Sequence, residues 1–288
     1  MDFAVFDPKR VSRGLAALAL VVLFCTSAFA RAPEPVVVNK VVKEVRLTGS
    51  PDSRPVAEHD QLPDGAALQT GADAWAELSC PDASVVRLAG NTTFSLAGKA
   101  RRLNLTNGAL LLEISKKARG TRIQAGDVSA ELAGTTVVFE LHGKVYKFFV
   151  MQGTARLFRP GHLGESILVQ PGQMAIGTSG AALPDPVDFD IGRFVKTSKF
   201  VTDFAPLTTA PLMAAETEKQ ARRISKKKLI ETNLVIFGGG TNVSLVQDPN
   251  KKQPDLPADS GNNNTAVPAA PLPGSNAKVV DQAMAARK

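Results

Sequence analysis

The sequence predicts an all-β core, built as a solenoid-like or sandwich-like stack of short strands, with a short helical C-terminal appendage and a disordered tail. Between residues 128 and 176, apolar and polar residues alternate in short runs, so that Val137 and Phe139 share one face opposite Glu140. Glycine or Pro-Gly turn signals end these runs. From residue 41 to 178, no stretch has the apolar spacing of a helix longer than two turns.

Residues 1–30 predict a secretory signal peptide. Basic residues precede an apolar run that ends at Cys25, and an Ala-Phe-Ala cleavage pattern ends at Ala30. Two alternatives stay open, namely an uncleaved inner-membrane anchor formed by residues 14–30 and lipid attachment at Cys25. Lipid attachment is disfavoured because Phe24 stands where a small residue normally precedes the cysteine. We expect a periplasmic or secreted protein without a transmembrane segment after cleavage, or an inner-membrane-anchored one if the segment is retained.

Cleavage at this site would leave Cys80 as the single cysteine of the mature chain. One thiol forms no internal disulfide, so stability has to come from packing. Cys80 is in phase with Ala76 and Leu78, a position typical of a small buried apolar residue rather than of a nucleophile.

The positive charge of the chain, formally +7, is concentrated in one region. Between Lys99 and Arg122 the sequence has seven basic residues and a single acid, Glu113. The basic residues are Lys99, Arg101, Arg102, Lys116, Lys117, Arg119 and Arg122. In an exported protein, this basic strip predicts contact with another envelope protein or an anionic envelope component, such as a surface sugar or a lipid headgroup. One Trp and one Tyr are too few for base stacking, which argues against nucleic acid. Alternatively, the basic residues serve solubility at turns and edge strands.

The β domain is predicted to span residues 41–180, after an extended linker at residues 31–40. Within it, Asn107-Gly108 lies between two alternating apolar runs and predicts a hairpin turn. Gly65, Gly108 and Gly153 stand where a tight turn requires positive φ, which glycine adopts without Cβ strain.

One ordered series of residues resembles the FecR domain. It consists of Asp64, Gly65, Thr70, Gly71, Gly108, Gly134, Thr135, Phe139, Gly153, Pro171, Gly172 and Gln173. The resemblance covers under half of the chain, and its strength lies in the order and intervals of the series. It implies an extracytoplasmic β domain without a catalytic centre. In the best-known members, this domain receives a signal from an outer-membrane transporter and passes it to a cytoplasmic sigma factor.

Two helices are predicted after the β domain. Residues 185–204 have helical apolar spacing, with Asp185 as N-cap and Pro186 at the first helical position, and this short helix should pack on the domain. Residues 214–232 predict a second, highly charged helix with a thin apolar stripe. It is either solvated or docked on an anionic surface.

The last part of the chain is predicted to be a hairpin followed by a tail. Residues 233–246 form a strand-like, Gly-rich hairpin, and the glycine loop lacks the Gly-Lys-Ser/Thr ending of a phosphate-binding loop. Residues 247–288 are rich in Pro, Asn and Ala and predict a disordered tail.

No pattern in the chain predicts catalysis or a cofactor. The three histidines, His59, His142 and His162, have no metal-ligand spacing, and no Gly-x-Ser-x-Gly occurs. Our first hypothesis is therefore a non-enzymatic, exported FecR-like binding or scaffold module of the periplasm. The alternatives are a membrane-anchored signal-relay regulator of a sigma-factor and transporter system, and an envelope glycan-handling protein, either a binder or a hydrolase.

Overall fold

A computed structural model describes residues 35–49, 53–98, 101–118, 120–237, 241–250 and 267–268. The predicted signal peptide, residues 1–30, lies outside this part of the chain. The described residues are mostly β with few helices, as the sequence predicts.

Seventeen of the described strands form one continuous sheet that folds over on itself. In chain order they are β1 (Val36–Val42), β2 (Val45–Thr48), β3 (Arg54–Pro55), β4 (Gln61–Leu62), β5 (Ala67–Thr70), β6 (Trp75–Ser79), β7 (Val85–Leu88), β8 (Thr93–Ala97), β9 (Arg102–Ile114), β10 (Thr121–Ala125), β11 (Val128–Leu132), β12 (Thr135–His142), β13 (Val145–Gln152), β14 (Ala155–Phe158), β15 (Ser166–Val169), β16 (Gln173–Thr178) and β17 (Val187–Asp188).

Strand pairing divides this sheet into two layers that share β9. Sheet I has the order β3-β2-β5-β8-β9-β10-β11-β14-β15. Sheet II has the order β4-β1-β6-β7-β9-β12-β13-β16-β17. All of these pairs are antiparallel except β9 with β10, which is parallel.

The hairpin predicted at Asn107-Gly108 is wrong, because β9 runs through both residues without turning back. Asn107 pairs with Thr93 in sheet I, whereas Gly108 pairs with Leu141 in sheet II. Gly108 has a φ of 97°, so positive φ is confirmed there, but it bends the strand from one sheet into the other. The apolar runs on either side of the bend therefore have different strand partners instead of each other.

The larger core cluster contains side chains from both sheets. Leu68 and Phe94 belong to sheet I, and Leu78 and Phe139 to sheet II, and all four are fully buried. Phe139 packs edge-to-face on Phe148, with ring centroids 5.0 Å apart. Period-two alternation along each strand supplies this shared apolar interior.

Residues 189–237 and 241–247 cover the outer face of sheet II, and we call them the C-terminal layer. Beyond β17, its elements are α1 (Ile191–Thr197), α2 (Lys199–Thr202), α3 (Ala210–Ser225), β18 (Ile230–Phe237) and β19 (Asn242–Gln247). A second apolar cluster joins Phe149 and Met174 of sheet II to Phe189 and Phe194 of the layer. Phe149 and Phe194 have ring centroids 5.1 Å apart. The central strands of sheet II, β9, β12 and β13, are therefore buried on both faces, which explains their continuous apolar runs.

Four charged residues of sheet II lie buried beneath this layer, and we call them the buried charged row: Arg87, Glu113, Glu140 and Lys147. Glu113 accepts hydrogen bonds from the backbone N–H groups of Thr208 and Thr209, at 3.3 and 2.6 Å, directly ahead of α3. Thr209, the N-cap residue, makes no side-chain cap bond of its own. Glu113 thus caps α3 from the sheet.

Glu140 is held ionised by its surroundings. Burial opposes ionisation most strongly, but the hydrogen bond with His142, the charge of Lys147 and the hydrogen bond from Thr241 together lower the pKa of this carboxyl below its ordinary 4.5. Thr241 Oγ1 donates to Glu140 Oε2 over 2.6 Å, and this bond ties β19 to sheet II.

We expect acid to destabilise the chain partly through Glu140. A carboxyl whose pKa is lowered by folding stabilises the fold above its unfolded pKa, and this contribution is lost as the pH falls through the folded pKa. The free energy of unfolding should therefore decrease as the pH falls below 4.5. Urea unfolding at a series of pH values should show a weaker decrease in Glu140→Gln than in the parent chain.

The matched control is Glu131→Gln, because Glu131 is an exposed carboxylate on sheet I with a half-exposed side chain. This variant should keep the parent's acid dependence. If Glu140→Gln kept it as well, Glu140 would not be a source of acid sensitivity.

The helices of the C-terminal layer differ from the predicted ones. The helix predicted at residues 185–204, with Asp185 as its N-cap, is wrong in its start, because Val187 pairs with Met174 in β17. Asp190 caps α1 instead, its Oδ1 accepting from the backbone N–H of Arg193 at 2.8 Å. A new N-cap at Ser198 separates α1 from α2.

The charged helix predicted at residues 214–232 starts earlier and ends earlier, at Ala210 and Ser225. Pro211 stands in its first turn, where no N–H partner is needed, so proline begins this helix instead of interrupting it. Met213 and Gln220 are the buried residues of this helix.

Two further boundaries change. The extended linker predicted at residues 31–40 is wrong from Val36 onward, because β1 begins there and pairs with β4 and β6. Of the predicted disordered tail, residues 251–266 and 269–288 lie outside the described residues. Val267–Pro268 form β20, which pairs with β18, contrary to the prediction for those two residues. β18 and β19 pair as the predicted hairpin.

Candidate functional site

An open groove of about 600 Å³ lies on the outer face of sheet I. Its charged lining residues are Arg102, Arg122, Glu131 and Arg156, and we call it the arginine groove. Small, polar and apolar residues complete the lining, and they are Gly120, Thr121, Leu132, Ala133, Thr154 and Leu168.

Strand register builds the groove from five neighbouring strands. Arg102 and Arg122 are direct neighbours in the parallel pair β9 and β10. Glu131 stands opposite Arg122 and also opposite Arg156. Arg156 stands opposite Leu168 of β15. Because alternate residues of these strands point into the core, this row of side chains points outward.

The groove has an excess of positive charge. Arg122 Nη2 donates to Glu131 Oε1 over 2.7 Å, and its guanidinium lies 5.0 Å from the ring centroid of Phe158. Within the described part of the chain, Arg102 and Arg156 form no ion pair with a carboxylate. Three guanidinium groups against one carboxylate leave two positive charges uncompensated. Guanidinium groups bind carboxylate, phosphate and sulfate oxygens, often in pairs of hydrogen bonds.

The structure brings two residues of the predicted basic strip together, Arg102 and Arg122. Lys99 and Arg119 lie outside the described residues. Arg101 is held elsewhere, with its Nε 4.0 Å from a carboxylate oxygen of Asp82.

The other two residues of the strip, Lys116 and Lys117, are exposed in the connection between β9 and β10. They are not among the lining residues of the groove. The sequence did not indicate Arg156, Glu131 or Leu168 as site residues. The alternating run of β14 does predict that Arg156 points outward. The sequence does not show which strands lie beside β14, and therefore not which residues surround Arg156.

The residues of the FecR-like series hold the fold and do not line the groove. Thr70 is buried, donates to the carbonyl of Ala89 and accepts from the N–H of Thr92. Gly153 has a φ of 78°, and a Cβ there would lie 2.8 Å from the carbonyl oxygen of Gly134. The positive φ predicted for Gly65 and Gly153 is confirmed.

The rest of the series lies in turns, at strand ends or in the core. Asp64 and Gly65 lie between β4 and β5, Thr135 begins β12, and Phe139 is in the core. Gly71 follows β5, Gly108 bends β9, and Gly134 precedes β12. Pro171 and Gly172 lie between β15 and β16, and Gln173 begins β16.

Neither a reactive thiol nor a metal-binding cluster is found among the described residues. Cys80 is buried, and this burial raises the pKa of its thiol to about 12, so the thiolate nucleophile is suppressed at neutral pH. No three His, Cys, Asp or Glu residues in the described ranges are placed to hold a metal ion. Of the helices described, none has the length and apolar character needed to cross a membrane.

Comparison with solved structures gives weak matches. A candidate anti-sigma factor from Parabacteroides distasonis is 11% identical, with a TM-score of 0.37 over 42% of this chain and 59% of its own length. A second crystal structure described in the same words, from the same organism, is 10% identical, with a TM-score of 0.36 over 63% of this chain and 98% of its own. Scores this low carry no argument about shared fold or function. No curated protein matches the chain.

Comparison with family models gives one match inside the β domain. Residues 66–156 match the family described as FecR protein. The matched region begins just before β5 and ends within β14, so it includes the bend of β9 and three of the strands that form the arginine groove. Residues 66–156 are therefore similar to the FecR family, as the ordered series of residues in the sequence indicates.

Proposed function

We propose that this protein is a non-enzymatic, exported binding module of the bacterial cell envelope that takes part in signalling by binding an anionic partner. The match to the FecR family supports the signalling role. The arginine groove supports an anionic partner, and its two uncompensated arginines are the observation that carries the proposal.

The position of the arginines makes a purely structural role unfavourable. Arg102 and Arg122 are directly opposed on neighbouring strands, where like charges destabilise a sheet. Glu131 forms a short hydrogen bond with Arg122 and compensates only that charge. A bound anion would relieve the remaining repulsion and use the donors of Arg102 and Arg156.

The proposed location is the periplasm or the exterior, after cleavage at Ala30. In the alternative, residues 14–30 stay in the inner membrane and the chain relays a signal to a separate cytoplasmic partner. The FecR match supports the exported module and the membrane-anchored regulator equally. The mass of the mature protein separates them, since only the exported module loses residues 1–30.

We expect Arg102→Gln combined with Arg156→Gln to weaken the binding of polyglutamate at least about tenfold, because each lost charge-assisted hydrogen bond costs about 1.5–3 kcal/mol. Titration of the full mature chain at a fixed, moderate ionic strength measures the effect. The melting temperature should show that this double variant is folded, since the two side chains are exposed.

A control with the same change in net charge is Lys226→Gln combined with Lys227→Gln. These lysines are exposed at the C-terminal end of α3, away from the groove lining. This control should bind as the parent does. An equal loss in both double variants would mean that net charge, and not the groove, attracts the anion.

A further inference from the structure

Sheet I ends at β15 with an open edge. β15 pairs with β14 on one side, and no described strand pairs with its other side, since the next strand, β16, pairs with β13 and β17. Leu168 stands in the middle of β15, is 55% exposed, and also lines the arginine groove. The edge of the sheet and the groove are therefore continuous.

The hydrogen-bond pattern shows which groups point outward. The N–H of Arg159 donates to the carbonyl of Glu165, so these two residues are a hydrogen-bonded pair of the β14–β15 hairpin. Hydrogen-bonded and non-hydrogen-bonded pairs alternate along antiparallel strands. Ile167 therefore bonds to β14, whereas the N–H and C=O of Leu168 point to the open edge. Among the described residues, no backbone bond outside the hairpin satisfies these two groups.

Apart from its short length, β15 lacks the usual protection of an edge strand against pairing. Proteins commonly shield edge strands with lysine, proline or a bulge. At the other end of sheet I, β3 consists of Arg54 and Pro55, which provides such protection. β15 reads Ser-Ile-Leu-Val and pairs with β14 in regular register. Leu163, in the turn before it, is fully exposed.

The charge beside the edge specifies what would pair there. A residue added opposite Leu168 would have its Cα about 10 Å from that of Arg156, two strand spacings away. A glutamate side chain and an arginine side chain together span this distance. The alternate residues of an added strand would face inward beside Ile167, which is half-buried against the core.

We propose that β15 is the docking edge for an extended segment of a partner protein, in which acidic and apolar residues alternate. The segment adds a strand to sheet I, its backbone pairs with Leu168, and its carboxylate opposite Leu168 binds the guanidinium of Arg156, while the other arginines of the groove add a favourable positive field. This proposal rests on the proposed function, because it names the class of anionic partner. The short edge supplies few backbone bonds, so the groove provides much of the specificity.

Two variants of the full mature chain separate the edge from the groove. Leu168→Pro removes the outward N–H without breaking a bond to β14, and proline is tolerated at such edge positions. Arg102→Gln combined with Arg156→Gln removes groove charge. The probe is a synthetic peptide of alternating Glu and Val, compared with alternating Lys and Val, with a sulfated polysaccharide and with phosphatidylglycerol vesicles.

We expect the Glu-Val peptide to bind the parent chain and to lose at least tenfold in affinity with either variant, while the Lys-Val peptide does not bind. Hydrogen exchange of the Leu168 amide in the parent chain should slow when the Glu-Val peptide is added, a measurement that needs no variant. Unchanged exchange at this amide would overturn the docking edge.

The remaining outcomes are also decisive. In one outcome, the Glu-Val peptide does not bind, whereas the polysaccharide or the vesicles bind the parent chain and Leu168→Pro equally and bind the arginine variant more weakly. The groove then serves a non-protein anion. The docking edge is then overturned and the proposed function stands. If no anionic probe depends on the arginines, both are overturned.

Discussion

Gly108→Ala is expected to lower the free energy of unfolding by about 3–5 kcal/mol, from backbone strain and overpacking together. A Cβ on Gly108 would lie 2.5 Å from Thr92 Cα and 2.8 Å from the carbonyl oxygen of Asn91. Both are backbone atoms of the neighbouring chain segment, so neither can move without disturbing the pairing of β8 with β9. The φ of 97° adds strain for any residue with a side chain.

Thermal unfolding should show this loss as a decrease in melting temperature of about 10 °C for a chain of this size. Gly65→Ala is the matched control, because Gly65 has a φ of 84° and no atom within 4 Å of an added Cβ. The control carries the strain of positive φ without the clash and should cost about 1–2 kcal/mol. Equal melting temperatures in the two variants would contradict the close approach at the bend.

Arg87→Met is expected to cost about 3–5 kcal/mol, the range typical of breaking a buried ion pair from one side. Arg87 is 1% exposed, and its Nε donates to Glu77 Oε2 over 2.7 Å. Its two terminal nitrogens donate to the carbonyls of Phe200 and Ala205 in the C-terminal layer. Methionine keeps an apolar stem but leaves a carboxylate and two carbonyls without their donor.

Arg87→Met should increase local opening of the C-terminal layer before the whole chain unfolds. Limited proteolysis should cut the region from α2 to the start of α3 faster than in the parent chain, because this arginine holds it to sheet II. The control, Arg122→Met, breaks an ion pair whose two side chains are about half exposed, and should change stability by less than about 1 kcal/mol. If the two variants were equally stable, the guanidinium of Arg87 would not be what fastens the layer.

The sequence predicts the strands well because their signal is local. Val137 and Phe139 alternate with their neighbours, and the structure places both in the core between the sheets. At Asn107-Gly108 the same local signal fits a hairpin turn and a bend equally, and only the partners of β9 distinguish them. Those partners, such as Leu141 for Gly108, come from distant parts of the chain.

The candidate site was predictable to a similar extent. Arg102 and Arg122 stand out in the sequence as parts of one basic strip, and the parallel pairing of β9 with β10 brings them side by side. Arg156 comes from a later strand, and no periodicity in the sequence indicates that Glu131 separates it from Arg122. In the C-terminal layer, Asp185 and Asp190 are both good N-caps, and pairing of the intervening strand with β16 decides between them.

The buried charged row has a consequence for how the protein folds. If the outer face of sheet II forms before the C-terminal layer docks on it, this face is exposed to water during the interval. Arg87, Glu113, Glu140 and Lys147 then keep an otherwise sticky apolar surface hydrated, which discourages association between incompletely folded copies. The charged groups that stabilise the folded protein would thus also limit aggregation during folding.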